Sequence, residues 1–162
     1  MLGVISDTHG ILRPEAVAAL AGSELIIHAG DIGSPEVLKQ LREIAPVIAV
    51  RGNMDRGGWA AGLPRTEVVK VGGLFLYILH NLSDLDLDPA AGAFQAVISG
   101  HSHRPGVEER DGVLFVNPGS AGPRRFTLPV AVARIRVCEG RLDAQIVELC
   151  ERPDRSPGDR HG

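Results

Sequence analysis

A chain of 162 residues with 44% hydrophobic content fits one domain with one core; only 4% is aromatic while Gly (20) and Pro (11) are plentiful, so aliphatic side chains fill that core and tight turns connect its elements. A formal net charge of −3 with no run of Lys or Arg excludes the usual basic footprint of a nucleic-acid binder. Met1 leads into a short apolar stretch stopped by Asp7, with no basic start and no long apolar segment, so neither a signal peptide nor a membrane span is expected and the expected location is cytoplasmic.

In chain order, residues 2 to 6 (LGVIS) read as a buried strand, followed by a helix from about Pro14 to Leu20 with Pro in its first turn. Residues 24 to 28 (ELIIH) repeat the strand pattern, Ser34 caps a helix begun by Pro35, and residues 47 to 50 (VIAV) form a third strand. Strand, helix, strand, helix, strand predicts a parallel βαβαβ half. Beyond Gly52, residues 66 to 71, 74 to 79, 95 to 99, 105 to 110, 113 to 117, 130 to 138 and 141 to 149 all read as short strands, with Gly72-Gly73 and Asp111-Gly112 as two-residue hairpin turns. These predict a second, mostly antiparallel sheet packed on the first, with Ala131, Ala133, Ile135 and Val137 on its inner face. The expected domain runs over residues 1 to 150; Glu151 onward is charged and rich in Pro and Gly, and reads as a tail that includes His161. If Cys138 and Glu139-Gly140 form a hairpin end, Cys138 and Cys150 lie too far apart along the ladder for a disulfide and are expected to be buried apolar fillers.

Side chains able to bind a metal collect where predicted strands end. Asp7 and His9 (DTH) follow the first strand, Asp31 (GD) the second, and Asn53 and Asp55 (GNMD) the third, while His80 ends LFLYIL and His101 and His103 (GHSH) follow AVIS. In an open α/β sheet the carboxyl ends of parallel strands share one crevice, so the first three loops converge there. Carboxylate, amide and imidazole donors suit divalent ions such as Mn, Fe, Co, Ni or Zn, and the lack of thiolates among them argues against a structural zinc knot. Asp7, His9, Asp31, Asn53, His80, His101 and His103 are too many for one ion and divide between two if a carboxylate bridges. Two ions about 3.5–4 Å apart can polarise a phosphoryl oxygen and hold a bridging hydroxide as nucleophile.

DTH, GD, GNMD, the lone His80 and GHSH, in that order, resemble the calcineurin-like metallophosphoesterase superfamily, and the short length with NPGS (Asn117 to Ser120) is similar to its small phosphodiesterase group, which includes the retromer subunit Vps29. The resemblance covers Met1 to about Leu149. It implies a four-layer αββα sandwich of two mixed sheets flanked by helices, and hydrolysis of a phosphate ester at two divalent ions, with manganese the expected metal. It also implies that Asp7, His9, Asp31 and His103 hold one ion and Asp31, Asn53, His80 and His101 the other, with Asp31 the bridge; Asp55 and His101 take supporting catalytic roles.

Two positions depart from the family pattern. Many members carry His between the Asn and Asp of GNxD, where it can protonate a leaving group; Met54 cannot, and general acid catalysis is worth ~10²–10⁴ in rate, so diesters are expected over monoesters. Asn81 follows His80 where the family usually shows Gly. Residues 54 to 79 and 81 to 100 leave no room for a cap domain, so the site should be open to a small phosphodiester or nucleotide-like substrate. Arg13, Arg51 and Arg104 flank the motifs as candidate phosphate contacts. His28 reads as a buried partner, Trp59 as packing, and Asn117 to Ser120 as a loop offering backbone N–H groups near the metals. The alternative from another class is a non-catalytic protein-interaction scaffold of the Vps29 type; the chain leaves a homo-oligomer open.

Overall fold

The computed structural model describes residues 1–125 and 127–149. Its elements follow the expected order closely: β1 (Leu2–Ile5), α1 (Pro14–Leu20), β2 (Leu25–His28), α2 (Pro35–Arg42), β3 (Val47–Ala49), β4 (Thr66–Val71), β5 (Leu74–Leu79), β6 (Ala96–Ile98), β7 (Gly106–Arg110), β8 (Val113–Asn117), β9 (Ala131–Cys138) and β10 (Arg141–Glu148). Both helices open on Pro, whose missing N–H would have no partner there in any case, and the Ser34 hydroxyl accepts the Glu36 N–H at 3.2 Å to cap α2. No described helix is long and apolar enough to cross a membrane.

The strands form two five-stranded mixed sheets, β10-β9-β1-β2-β3 and β4-β5-β6-β8-β7. Strands β1, β2 and β3 are parallel, as expected. Strand β9 pairs antiparallel with β1 and carries β10 into the first sheet, which corrects its expected place in the second. The second sheet is not mostly antiparallel either: the hairpins β4–β5 and β7–β8 flank a parallel centre, β5-β6-β8. The hairpin turns are legible from local sequence, whereas the crossovers between β5, β6 and β8 depend on which strands meet in space.

Alternation along the strands separates two apolar layers. Leu2, Val4, Ile27 and Ala29 face Leu76, Ile78, Ala96 and Ile98 between the sheets, with Ala133 and Ile135 beside them. Ile5, Ile26 and Val132 face the other way, onto Ala16, Leu20, Val37, Leu38 and Leu41 of the two helices, and Trp59 packs on this layer. Truncating Leu20, fully buried there, would cost about 2–5 kcal/mol. The outer face of the second sheet, with Tyr77, Leu79, Val97 and Val113, is covered by a 3-10 helix, Leu82–Asp84, and the turns up to Phe94. Cys138 pairs with Arg141 at the predicted hairpin end but is exposed, which corrects its expected burial: burial fades along β9 toward the hairpin tip, which lies past the core. Cys150 and the expected tail lie outside the described residues.

Candidate metal centre

The parallel centre of the second sheet fixes the site. Strands β1, β2 and β3 of one sheet and β5, β6 and β8 of the other end at the same edge, so loops 6–10, 30–33, 51–55, 80–81, 99–104 and 117–122 meet. Backbone hydrogen bonds lace them together: Asp7 N–H to Gly30 O at 3.0 Å, His9 N–H to Asp31 O at 3.0 Å, and Gly100 N–H to His80 O at 2.9 Å.

Each central carboxylate is anchored by one oxygen and aimed by the other. Asp7 Oδ2 accepts the Ser6 hydroxyl at 2.6 Å and the His101 N–H at 3.1 Å, leaving Oδ1 inward, 3.3 Å from His103 Nε2 and 3.8 Å from His9 Nε2. Asp31 Oδ1 accepts the Met54 N–H at 2.9 Å, leaving Oδ2 3.2 Å from His80 Nε2 and 4.0 Å from His9 Nε2. Two groups of donors result, Asp7 with His9 and His103, and Asp31 with His80 and His101; within each, the ligand atoms lie within 4.8 Å of one another. The groups abut, since His80 Nε2 is 3.9 Å from Asp7 Oδ1.

Buried polar atoms normally find a partner, yet Asp7 Oδ1, His9 Nε2, His80 Nε2 and His103 Nδ1 are buried with no hydrogen bond among the described residues. They are clustered, and oxygen and imidazole nitrogen together form a donor set fitted to divalent cations. His80 is oriented by its other nitrogen, Nδ1, 2.7 Å from Ala29 O, the arrangement that fixes a ligating imidazole. Burial pushes the Asp31 carboxyl up, but the His80 imidazole and the Met54 N–H outweigh it and hold it below the usual carboxylate value. Burial likewise pushes His80 down, while Asp31 and Asp7 outweigh it and raise it. His103 is lowered by burial and by the Arg125 guanidinium, against Asp7.

The backbone is strained at these same residues. Asp7, His9, Asp31, His101 and His103 all have φ between 48° and 68°, a region costly for non-glycine residues. Asp111 and Glu139 share it for an ordinary reason, as first residues of two-residue hairpin turns. Glycines supply the close approach. A Cβ on Gly52 would overlap Asp31 Oδ1 and N, and one on Gly100 would overlap Ser6 Oγ and come within 2.6 Å of Asp7 Oδ2.

The remaining candidates divide by what they touch. Asn53 is exposed and lines a cleft with His80 and Gly52; His101 is exposed, its ring 5.2 Å from that of His80. Asp55 is buried with both oxygens taken, Oδ1 by Gly33 N–H at 3.0 Å and Oδ2 by Gly52 N–H at 2.9 Å, so it clamps two site loops. His28 is fully buried: Nδ1 accepts the Gly30 N–H, Nε2 lies 3.0 Å from Thr8 Oγ1, and Thr8 donates to Ile32 O. Burial lowers its pKa to about 3, so it is a neutral strut tying two loops. In the expected Asn117 to Ser120 loop, the Gly119 N–H is taken within the loop and the side chains act as braces. Asn117 Nδ2 donates to Gly100 O and Ser102 Oγ, its Oδ1 takes the Gly119 N–H, and the Ser120 hydroxyl donates to Asp7 O, so the loop braces the loops that carry Asp7 and His101. Asn81 caps the 3-10 turn through the Ser83 N–H, which explains a side chain at that position. Arg13 donates to Gly122 O and Arg51 Nε to Asp55 O, while Arg104 lines a second cleft beyond His101. Sequence reasoning missed Arg125, whose positive charge acts on His103 from a loop far along the chain.

The calcineurin-like phosphoesterase superfamily domain matches residues 1–140. A probable metallophosphoesterase of Methanothermobacter thermautotrophicus is 37% identical to this chain, over 91% of each protein. An archaeal phosphodiesterase of known structure superposes with TM-score 0.74 at 27% identity, over 90% of this chain and 99% of that one. Vps29 of Entamoeba histolytica complexed with zinc, at 21% identity and TM-score 0.69 over 91% of this chain and 98% of that one, shares the fold. The expected sandwich of two mixed sheets is thereby matched in related proteins, and the chain belongs to the calcineurin-like phosphoesterase superfamily.

Proposed function

We propose that this chain is a metal-dependent phosphodiesterase holding two divalent ions, manganese foremost, one on Asp7, His9, Asp31 and His103 and the other on Asp31, Asn53, His80 and His101. The observation that carries this is the cluster of one buried carboxylate oxygen and three imidazole nitrogens without partners, three of the four residues on strained backbone, where both sheets end. When bound, the ions supply positive charge that polarises a phosphoryl oxygen and acidifies a water for attack. The chain's own residues do the rest. Asp7 and Asp31 present one oxygen each because backbone N–H groups hold the other, and Asp55, His28 and Asn117 keep the loops in register. Met54 stands 56% exposed at the mouth of the site, directly beside Asn53, and offers no proton to a leaving group. Diesters with good leaving groups are therefore favoured over monoesters. The cytoplasmic location and a small phosphodiester substrate belong to this same reading.

A non-catalytic scaffold of the Vps29 type is supported by fold alone, and the complete donor set weighs against it. Hydrolysis of bis-p-nitrophenyl phosphate and p-nitrophenyl phosphate with added manganese, by wild type and Asp31→Asn, tests the choice. Manganese-dependent cleavage of the diester, lost in Asp31→Asn, is expected; no metal-dependent turnover of either ester by wild type would sink the enzyme reading.

A further inference from the structure

A cleft of about 370 Å³ opens directly off the metal centre, its inner wall made by Asn53 and His80. Three arginines line it, Arg51, Arg56 and Arg65, against a single acidic residue, Asp84. Arg51 is fixed by its Nε bond to Asp55 O at 3.0 Å, and its terminal nitrogens make no hydrogen bond with any described residue. Arg56 and Arg65 make no hydrogen bond or ion pair with any described residue. In a chain of net charge −3, this concentration of cations beside the metals is local and specific.

The scissile phosphate of a diester carries one negative charge, and two divalent ions already answer it. Three further arginines in the adjoining cleft call for a further anion. A terminal phosphate, with close to two charges and three acceptor oxygens, matches several guanidinium forks at once, whereas a carboxylate carries one charge. A larger cleft, about 760 Å³, shares Asn81 with the first, runs from His101 past Asn117 to Phe115, and leaves room for the organic remainder of the ester. Resting on the phosphodiesterase reading above, we infer that the substrate is a small phosphate ester carrying a second, terminal phosphate, which Arg51, Arg56 and Arg65 bind beside the metal centre. The larger cleft carries two more arginines, Arg104 and Arg110, the latter paired with Glu108 at 2.8 Å, but the chain has no run of Lys or Arg and a net charge of −3, which favours a small bisphosphorylated molecule over a nucleic-acid strand.

Calorimetric binding of thymidine 3′,5′-bisphosphate and thymidine 5′-monophosphate to the manganese-loaded full chain tests this, with wild type compared with the double variant Arg56→Ala, Arg65→Ala. Both arginines are exposed, so the variant is expected to fold as wild type does. Wild type is expected to prefer the bisphosphate by about tenfold, and the variant to lose most of that preference, as two exposed charge pairs would dictate. An equal preference in both proteins, or none in wild type, would overturn the inference, as would tighter binding of an oligothymidylate than of the bisphosphate. Bis-p-nitrophenyl phosphate, which has no second phosphate, serves as the control. Its hydrolysis by both proteins would uphold the phosphodiesterase reading whatever the binding ratio, and its failure would sink that reading while the ratio still decides on the cleft.

Discussion

Replacing Asp55 with Asn separates a clamp from a residue with a supporting catalytic role. The side chain is 1% exposed, and its two oxygens accept the Gly33 and Gly52 N–H groups at 3.0 and 2.9 Å. An amide of the same shape keeps one acceptor and turns its NH2 against the other N–H, so one charge-assisted hydrogen bond is lost and a buried donor is left unpaired. Such a bond is worth about 1.5–3 kcal/mol and an unsatisfied group costs a similar amount, which puts the loss near about 3 kcal/mol. With an m-value of about 2 kcal/mol/M, the urea midpoint should fall by about 1.5 M. Gly52 packs on Asp31 and is followed by Asn53, so manganese affinity should weaken about 10–100-fold, as loss of a residue that orients ligands does. Urea unfolding and manganese titration of the same protein read both effects. An unchanged midpoint and unchanged manganese affinity, with hydrolysis nevertheless lost, would refute the clamp and return Asp55 to the reacting atoms.

Further outcomes follow from single contacts. Met54→His should raise p-nitrophenyl phosphate hydrolysis by about 10²-fold, the low side of what a general acid supplies, while changing diester cleavage much less; no gain would show that leaving-group protonation is not what limits monoesters. Gly100→Ala should reduce manganese affinity and destabilise the fold by about 1–3 kcal/mol, because its Cβ would collide with Ser6 Oγ and crowd Asp7 Oδ2; calorimetry of an unaffected variant would contradict the close packing. His28 is depressed to about 3 in the folded chain against 6.5 when unfolded, so the unfolded state binds the extra proton and the stability His28 contributes is present above about pH 6.5 and is lost as pH falls toward about 3. The loss should reach about 1.4 kcal/mol at about pH 5.5, and His28→Asn should flatten that part of the curve; an identical slope in the variant would show that other groups carry it. Chelation should lower the melting temperature, since metal at about a hundred times its Kd stabilises by about 2.7 kcal/mol per site, and an unmoved transition would deny that the folded chain holds metal.

Most of this was legible in the chain itself. Strand and helix positions follow from apolar runs, Pro35 and Ser34, and the ligand candidates were visible because they sit where those runs stop. Strand partnership was not. Nothing local in residues 131 to 138 says that they pair with β1, and nothing in 95 to 99 says that β6 lies parallel between β5 and β8, because both depend on contacts distant in sequence. The braces were hidden for the same reason: Asn117 reaching Gly100 and Ser120 reaching Asp7 join loops that only the assembled sheets bring together, and so was the charge of Arg125 near His103. The left-handed backbone at Asp7, His9, Asp31, His101 and His103 likewise carries no sequence signature, since Asp and His occupy it where glycine would be easier.

Hydrolysis of bis-p-nitrophenyl phosphate, followed as manganese is added back to chelator-stripped protein, tests the central claim most directly. Two ions shared between the Asp7 and Asp31 groups predict no turnover in the stripped protein and full turnover only as about two ions bind per chain. Turnover that survives stripping, or that saturates with a single bound ion, would contradict it.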